Sequence, residues 1–216
     1  MQLIDSTGPN PRMVRMFLLE KGMTLPSRSV DILTGDNRKP EFTARNPAGQ
    51  VPALELDDGT LICETVAICE YLEEQQPEPA LVGATAFERA QTRMWIRRIE
   101  ERITADLYNG FRYAEGLDMF RDRMHCMPEA ADTFKHRGQL GLAWLDPLLG
   151  DGPYICGDRL TIVDLALYCC LDFVASVGQP RKAGLDHVED WFTRMASRPS
   201  AEASLTPGWE QIGMRL

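Results

Sequence analysis

Between residues 75 and 84 the chain reads QQPEPALVGA, and the pattern of its apolar residues changes character across that stretch. Two prolines and a glycine there interrupt any regular element. Before the break, short apolar runs alternate with helical periodicity. After it no convincing strand can be read, so any sheet has to be built from the residues before it. This predicts an α/β domain over 1–76, a linker over 77–85 and an all-helical domain over 86–216, a reasonable partition for a chain of 216 residues.

The first part opens with a short apolar strand around Leu3-Ile4 and the turn-rich STGPNP. A helical pattern follows, with Val14, Phe17 and Leu18 on one face, and ends near Gly22. Asn10 followed by Pro11 suits an N-cap and first turn. SRSVDIL (27–33) reads as a second strand, and a strand-helix-strand unit of this length implies parallel strands with a right-handed crossover. After a polar loop, QVPALEL and TLIC read as strands joined by a DDG hairpin turn, and a helix begins at Thr65. In the second part the helical stretches run from 87 to 114, with Trp95, Ile99, Ile103 and Leu107 at helical spacing, and then near 129–149, 161–177 and 186–197.

Composition excludes several classes of function. A net charge of -9 disfavours attraction to phosphate backbones, so nucleic acid is not an expected partner. The run Arg93, Arg97, Arg98 and Arg102 is interrupted by Glu100 and Glu101 and reads as a solvated helix face with intrahelical ion pairs. The first residues carry no apolar signal core. No run approaches the roughly 18 apolar residues of a membrane span, so a cytoplasmic protein with no membrane partner is expected. Six cysteines show neither C-x-x-C nor zinc-finger spacing and three histidines form no ligand pair, so a reduced compartment and no metal are expected.

The stretch DGTLICETVAICEYLEE (58–74) carries the most chemistry, because Glu64 and Thr65 stand where a strand gives way to a helix. Such a pair can cap the helix by satisfying its first N–H groups. It can also hold a ligand that carries both an amine and a carboxylate, the helix end taking the anion and Glu64 the ammonium. Further on, Thr161 stands three residues before Asp164 ahead of an apolar run, a capping-box spacing with Asp in the position usual for Glu or Gln. As an ordinary cap, Asp164 would contribute roughly 0.5–2 kcal/mol.

Taken together, the β-α-β, loop, β-β-α order, Val51-Pro52 ahead of a strand, Glu64-Thr65 at a helix start and Thr161-x-x-Asp164 in a helical second half resemble a cytosolic glutathione transferase over essentially the whole chain. The resemblance implies a thioredoxin-like N-terminal domain, an all-helical C-terminal domain, glutathione as co-substrate and a homodimer. Pro52 matches the family's cis-proline, with the Val51 backbone pairing the cysteinyl part of glutathione. Glu64 and Thr65 match the pair that holds the γ-glutamyl end. The glycine carboxylate would lie toward Gln50 and the segment Asn37, Arg38, Lys39.

A transferase must also favour the thiolate of glutathione, since that is the nucleophile. Asn10 occupies the position where the family usually has Ser or Cys. Its amide can donate a hydrogen bond to a thiolate, helped by the helix dipole, so Asn10 ranks first as activator, then Ser6, then Thr7. Tyr113 or Tyr108 could instead hold a water against the sulfur. With no cysteine near position 10, conjugation to a hydrophobic electrophile is favoured over disulfide reduction, with a glutathione-dependent isomerase or dehalogenase, or a noncatalytic binding protein, as rival readings. The electrophile pocket would be drawn from Trp95, Tyr108, Phe111, Arg112 and Tyr113, between the domains.

Overall fold

The computed structural model describes residues 1–216. Strand β1 (Gln2–Asp5), helix α1 (Pro9–Lys21) and strand β2 (Ser27–Ser29) form the expected crossover unit, with β1 and β2 parallel. Strands β3 (Ala53–Glu55) and β4 (Leu61–Cys63) form an antiparallel hairpin, and β3 pairs antiparallel with β1, giving the order β2-β1-β3-β4. Before the hairpin lies the one-turn helix α2 (Pro40–Thr43), and after it comes α3 (Thr65–Gln75). This is a thioredoxin-like mixed sheet.

Strand β2 is shorter than the sequence pattern predicts. The Asp31 carboxylate accepts from the N–H groups of Leu33 at 2.7 Å and Thr34 at 3.3 Å, turning the chain out of the sheet. Ile32 and Leu33 therefore leave the strand and face the cleft between the domains.

The second domain contains helices only: α4 (Ala86–Ile99), α5 (Ala105–Tyr113), α6 (Leu117–Phe120), α7 (Ala131–Leu149), α8 (Ile162–Ser176), α9 (Asp186–Ala196), α10 (Pro199–Ala203) and α11 (Trp209–Ile212). A π-turn over Glu100–Thr104 joins α4 to α5, so the two make one continuous run with a change of phase in the middle. This run packs tightly on α7: a Cβ added to Gly141 would sit 2.0 Å from the Arg102 carbonyl oxygen. Helix α8 is apolar nearly all round and buried, and α1 packs against it, so one hydrophobic core extends through both domains.

The linker is held by a charge. Glu73, on α3, is buried and accepts from Lys21 Nζ at 2.9 Å and from the N–H groups of Leu81, Val82 and Gly83 at 3.1, 2.7 and 3.2 Å. A carboxylate receiving several N–H bonds has its charge satisfied without water, and the chain between the domains is fixed in one path.

The arginine run is an exposed helix face, as expected, but only part of its pairing is intrahelical. Arg97 does pair with Glu101 one turn on, but Arg93 reaches Glu70 of α3 at 2.7 Å. Arg98 stacks over Trp95 and Arg102 over Trp144, at 5.0 and 4.7 Å.

The box at Thr161 and Asp164 begins α8. Thr161 Oγ1 accepts from the Val163 N–H at 3.3 Å, and Asp164 accepts from the Thr161 N–H at 2.9 Å. Asp164 also accepts from the Ile155 N–H and the Trp191 indole N–H, each at 2.9 Å, in a site with no solvent exposure. It therefore ties three segments together, which an ordinary cap does not do. Asp164→Ala leaves three buried N–H donors without a partner, and at about 1–3 kcal/mol each the loss exceeds that of a cap, reaching at least about 3 kcal/mol. Urea unfolding checks this; a loss within the ordinary cap range would show that the surrounding donors find other partners.

Candidate functional site

A cleft runs between the sheet domain and the continuous α4–α5 helix and has two lobes. Asn10, Pro9, Tyr108 and Arg112 line both. One lobe continues to Glu64, Thr65 and Glu100; the other continues to Asn37, Arg38, Gln50 and Val51 on the sheet side and to Phe111 and Phe120 on the helical side.

The cap reading of Glu64 and Thr65 is not what the structure shows. Neither side chain makes a capping hydrogen bond at the start of α3. Instead Glu64 has φ 70° and ψ 126°, the one non-glycine residue of the chain in the left-handed half of the map. Such a backbone costs on the order of 1–3 kcal/mol and persists only where surrounding structure imposes it. Here it turns the chain from β4 into α3 and leaves the carboxylate and the hydroxyl facing the cleft. Glu100, from the π-turn, faces the same lobe. Burial, with Glu64 and Glu101 adding and Arg97 opposing, pushes its carboxyl above the usual range.

Across the cleft, Val51–Pro52 is a cis peptide, and neither the N–H nor the carbonyl of Val51 is hydrogen-bonded within the chain. Those groups lie just ahead of β3, and Val51 lines the cleft. The segment is positioned by amides: Asn37 Nδ2 donates to the Gly49 carbonyl and Asn46 Nδ2 to the Gln50 carbonyl, each at 2.7 Å. Asn37 Oδ1 is buried with no partner. Arg38 donates to the Ala48 carbonyl at 3.1 Å and lines the cleft, whereas Lys39 pairs with Asp36 at 2.7 Å and lies outside it.

The expected activators separate by geometry. Helix α1 begins at Pro9 with Gly8 as its N-cap, so Asn10 is in the first turn and is not the cap. Its side chain is exposed and unpaired at the junction of the two lobes. Thr7 lines the cleft, but the Ser6 hydroxyl is buried and donates to the Val30 carbonyl at 2.6 Å, so its proton is already engaged. Arg15 fixes the same loop by donating to Asp5 at 2.8 Å and to the Ser6 carbonyl at 3.0 Å. Tyr113 is buried against Phe134, ring centroids 5.5 Å apart, and is absent from both lobes. On α5, residues 108 and 112 share the cleft face by their i, i+4 spacing, and Tyr113 points to α7. Trp95 packs on Trp144 away from the cleft.

Burial pushes the Tyr108 phenol well above its ordinary value, with Cys170 beside it adding to the effect. A phenol shifted in this direction holds its proton more firmly, which suits a hydrogen-bond donor better than a base. No cysteine lines either lobe. Burial raises the Cys169 and Cys170 thiols to about 11 and about 12, and raises Cys69 further. In the native protein at pH 8, iodoacetamide should alkylate Cys63 and Cys126 alone; peptide mass mapping checks this, and labelling of Cys169 or Cys170 before unfolding would contradict the burial that raises them.

Several lining residues had no readable signal in the sequence. Met119 and Phe120 come from the short α6, and Met214 and Leu216 from the C-terminal segment. Glu100 reads as part of a solvated face until the π-turn shifts its phase.

Comparison with known proteins agrees with this architecture. Residues 7–75 match the glutathione S-transferase N-terminal domain, and residues 130–199 the glutathione S-transferase C-terminal domain. Glutathione S-transferase 2 of Saccharomyces cerevisiae is 32% identical over 92% of this chain and 86% of its own length. A maleylacetoacetate isomerase of Pseudomonas aeruginosa is 33% identical over 71% of each chain. Among solved structures, a glutathione S-transferase domain-containing protein of Marinobacter aquaeolei superposes with a TM-score of 0.87 at 36% identity, covering 93% of this chain and all of the other.

Proposed function

This chain belongs to the glutathione S-transferase family, and from that premise we propose that it binds reduced glutathione in the two-lobed cleft and adds the thiolate to a hydrophobic electrophile. The observation that carries the reading is that Glu64, Thr65, Asn10 and the Val51 backbone meet around one cleft with their polar groups unpaired. The lobe with Glu64 and Glu100 takes the γ-glutamyl ammonium. Thr65 and the start of α3 take the neighbouring carboxylate. The cysteinyl unit pairs with the Val51 backbone as an added strand. The glycine carboxylate goes to Arg38, with Asn37 and Gln50 holding that wall.

This arrangement puts the sulfur near Asn10. An amide N–H aimed at the sulfur and the positive end of α1 both favour the thiolate over the thiol, because both interact more strongly with the charged form. Thr7 is a second donor on the same loop, and Tyr108, kept protonated by its burial, is a third from the opposite wall. The thiolate attacks and a carbon–sulfur bond forms; in a substitution the displaced group leaves with its bonding pair, and in an addition the π pair moves to the neighbouring carbon, which takes a proton from solvent. As a member of its family the protein is proposed to act as a homodimer in the cytoplasm, in detoxification. A second reading, isomerisation through reversible addition of the same thiolate, is favoured by the similarity to the maleylacetoacetate isomerase.

Glu64→Ala combined with Thr65→Ala should abolish retention on immobilised glutathione and weaken binding in calorimetry by about a hundredfold, with an unchanged circular dichroism spectrum. Undiminished retention would remove the clamp. Asn10→Ala should lower kcat about tenfold to a hundredfold at saturating glutathione; a fall in glutathione affinity alone would assign Asn10 to binding.

A further inference from the structure

The cleft has a charge asymmetry that glutathione does not exhaust. The chain carries a net charge of -9, yet the lobe between α1, α5 and α6 is lined by Arg38, Arg112 and Arg123 and by no Asp, Glu or Lys. None of the three guanidinium groups forms a salt bridge, whereas Arg12, Arg15, Arg198 and Arg215 all do. Arg38 is assigned to the glycine carboxylate, and Arg123 donates to the Leu33 carbonyl at 3.5 Å and lies 6.0 Å from the Phe120 ring centroid.

Arg112, like Arg123, has no carboxylate partner, and it alone of the three lines both lobes. Its guanidinium lies 5.8 Å from the Tyr108 ring centroid and 5.6 Å from that of Phe120, and its one hydrogen bond goes to Asn109 Oδ1 at 3.3 Å. Burial lowers its pKa, because the charged form is partly taken out of water. Stacking on aromatic faces offsets part of that desolvation. A planar oxyanion would offset the rest, because a guanidinium presents a fork of donors matched to a carboxylate. The walls around it are Phe111, Phe120, Phe173 and Met214, a frame for an apolar body.

We infer that the second substrate is an aromatic or similarly apolar electrophile bearing a carboxylate-type anion, and that Arg112 takes that anion and so sets substrate selectivity. The inference deepens the proposed conjugation and rests on it. Arg112 also borders the lobe of Glu64 and Thr65, so the competing occupant is a carboxylate of glutathione itself.

The test compares 4-chloro-3,5-dinitrobenzoate with the neutral 4-chloro-3,5-dinitrobenzamide at saturating glutathione. In both, the thiol proton goes to solvent, the sulfur bonds to the ring carbon and chloride leaves with the bonding pair, without net oxidation. Each kcat/KM is divided by the uncatalysed rate constant. The wild-type protein should prefer the carboxylate by about tenfold or more; Arg112→Gln should remove that preference, and Arg112→Lys should restore part of it. A wild-type ratio near one, or a ratio unchanged in Arg112→Gln, overturns the inference. So does a rise confined to the KM for glutathione, which would give the guanidinium to the tripeptide. Calorimetry without glutathione, using the unreactive 3,5-dinitrobenzoate, separates the two claims. Binding weakened about tenfold by Arg112→Gln upholds the anion site even if glutathione fails to bind, and no binding to the wild-type protein sinks it.

Discussion

The buried ion pair between Arg12 and Asp172 is the constraint on which the arrangement of the two domains depends. Arg12, on α1, has no solvent exposure and lies 2.6 Å from Asp172 of α8. It also donates to the Ala201 carbonyl at 2.9 Å and to the Ser204 hydroxyl at 3.3 Å, while Arg215 closes on the same carboxylate at 2.9 Å. Desolvating such a pair cancels much of its attraction, so its net stabilisation is small. Removing one member leaves an uncompensated charge and costs about 3–5 kcal/mol. Its effect is on geometry, since guanidinium and carboxylate meet only when α1, α8, α10 and the C-terminal segment are in one relative position. The cleft lies between those same domains, and Asn10 is two residues from Arg12 on the same helix.

Function follows from that docking because the cleft's two walls differ in kind. The sheet domain supplies backbone groups and short polar side chains held by local constraint: the positive φ at Glu64, the unpaired Val51 peptide groups and the loop fixed by Ser6 and Arg15. The helical domain supplies aromatic surface, a protonated phenol at Tyr108 and the guanidinium of Arg112. One wall suits an invariant peptide-like ligand and the other a variable apolar one. Glu64 and Glu100 line one lobe, Arg38 and Arg123 the other, and Arg112 stands where the two lobes meet.

Much of this was legible in the sequence where local signals agree with tertiary structure. The parallel crossover, the hairpin at DDG, the start of α3 and the box at Thr161 and Asp164 each rest on turn residues and periodicity within a few positions. Glu64 and Thr65 read from the sequence as either a cap or a ligand pair, and the structure removes the side-chain cap. What failed was set by distant parts of the chain. Tyr108 and Tyr113 lie on different faces of α5, and which face meets the cleft is not decided until the position of α7 is known. Ser6 looks free until Val30 is brought beside it. The π-turn that rotates Glu100 into the cleft has no sequence signature.

The central claim is that Asn10 and its loop hold glutathione as a thiolate, and the most direct measurement is an ultraviolet titration of the thiolate absorbance of bound glutathione against pH. The account predicts tight binding and a bound thiol pKa well below that of free glutathione, with the shift diminished in Asn10→Ala. Tight binding with the thiol titrating as it does in free solution would contradict it, leaving a protein that carries glutathione without activating it.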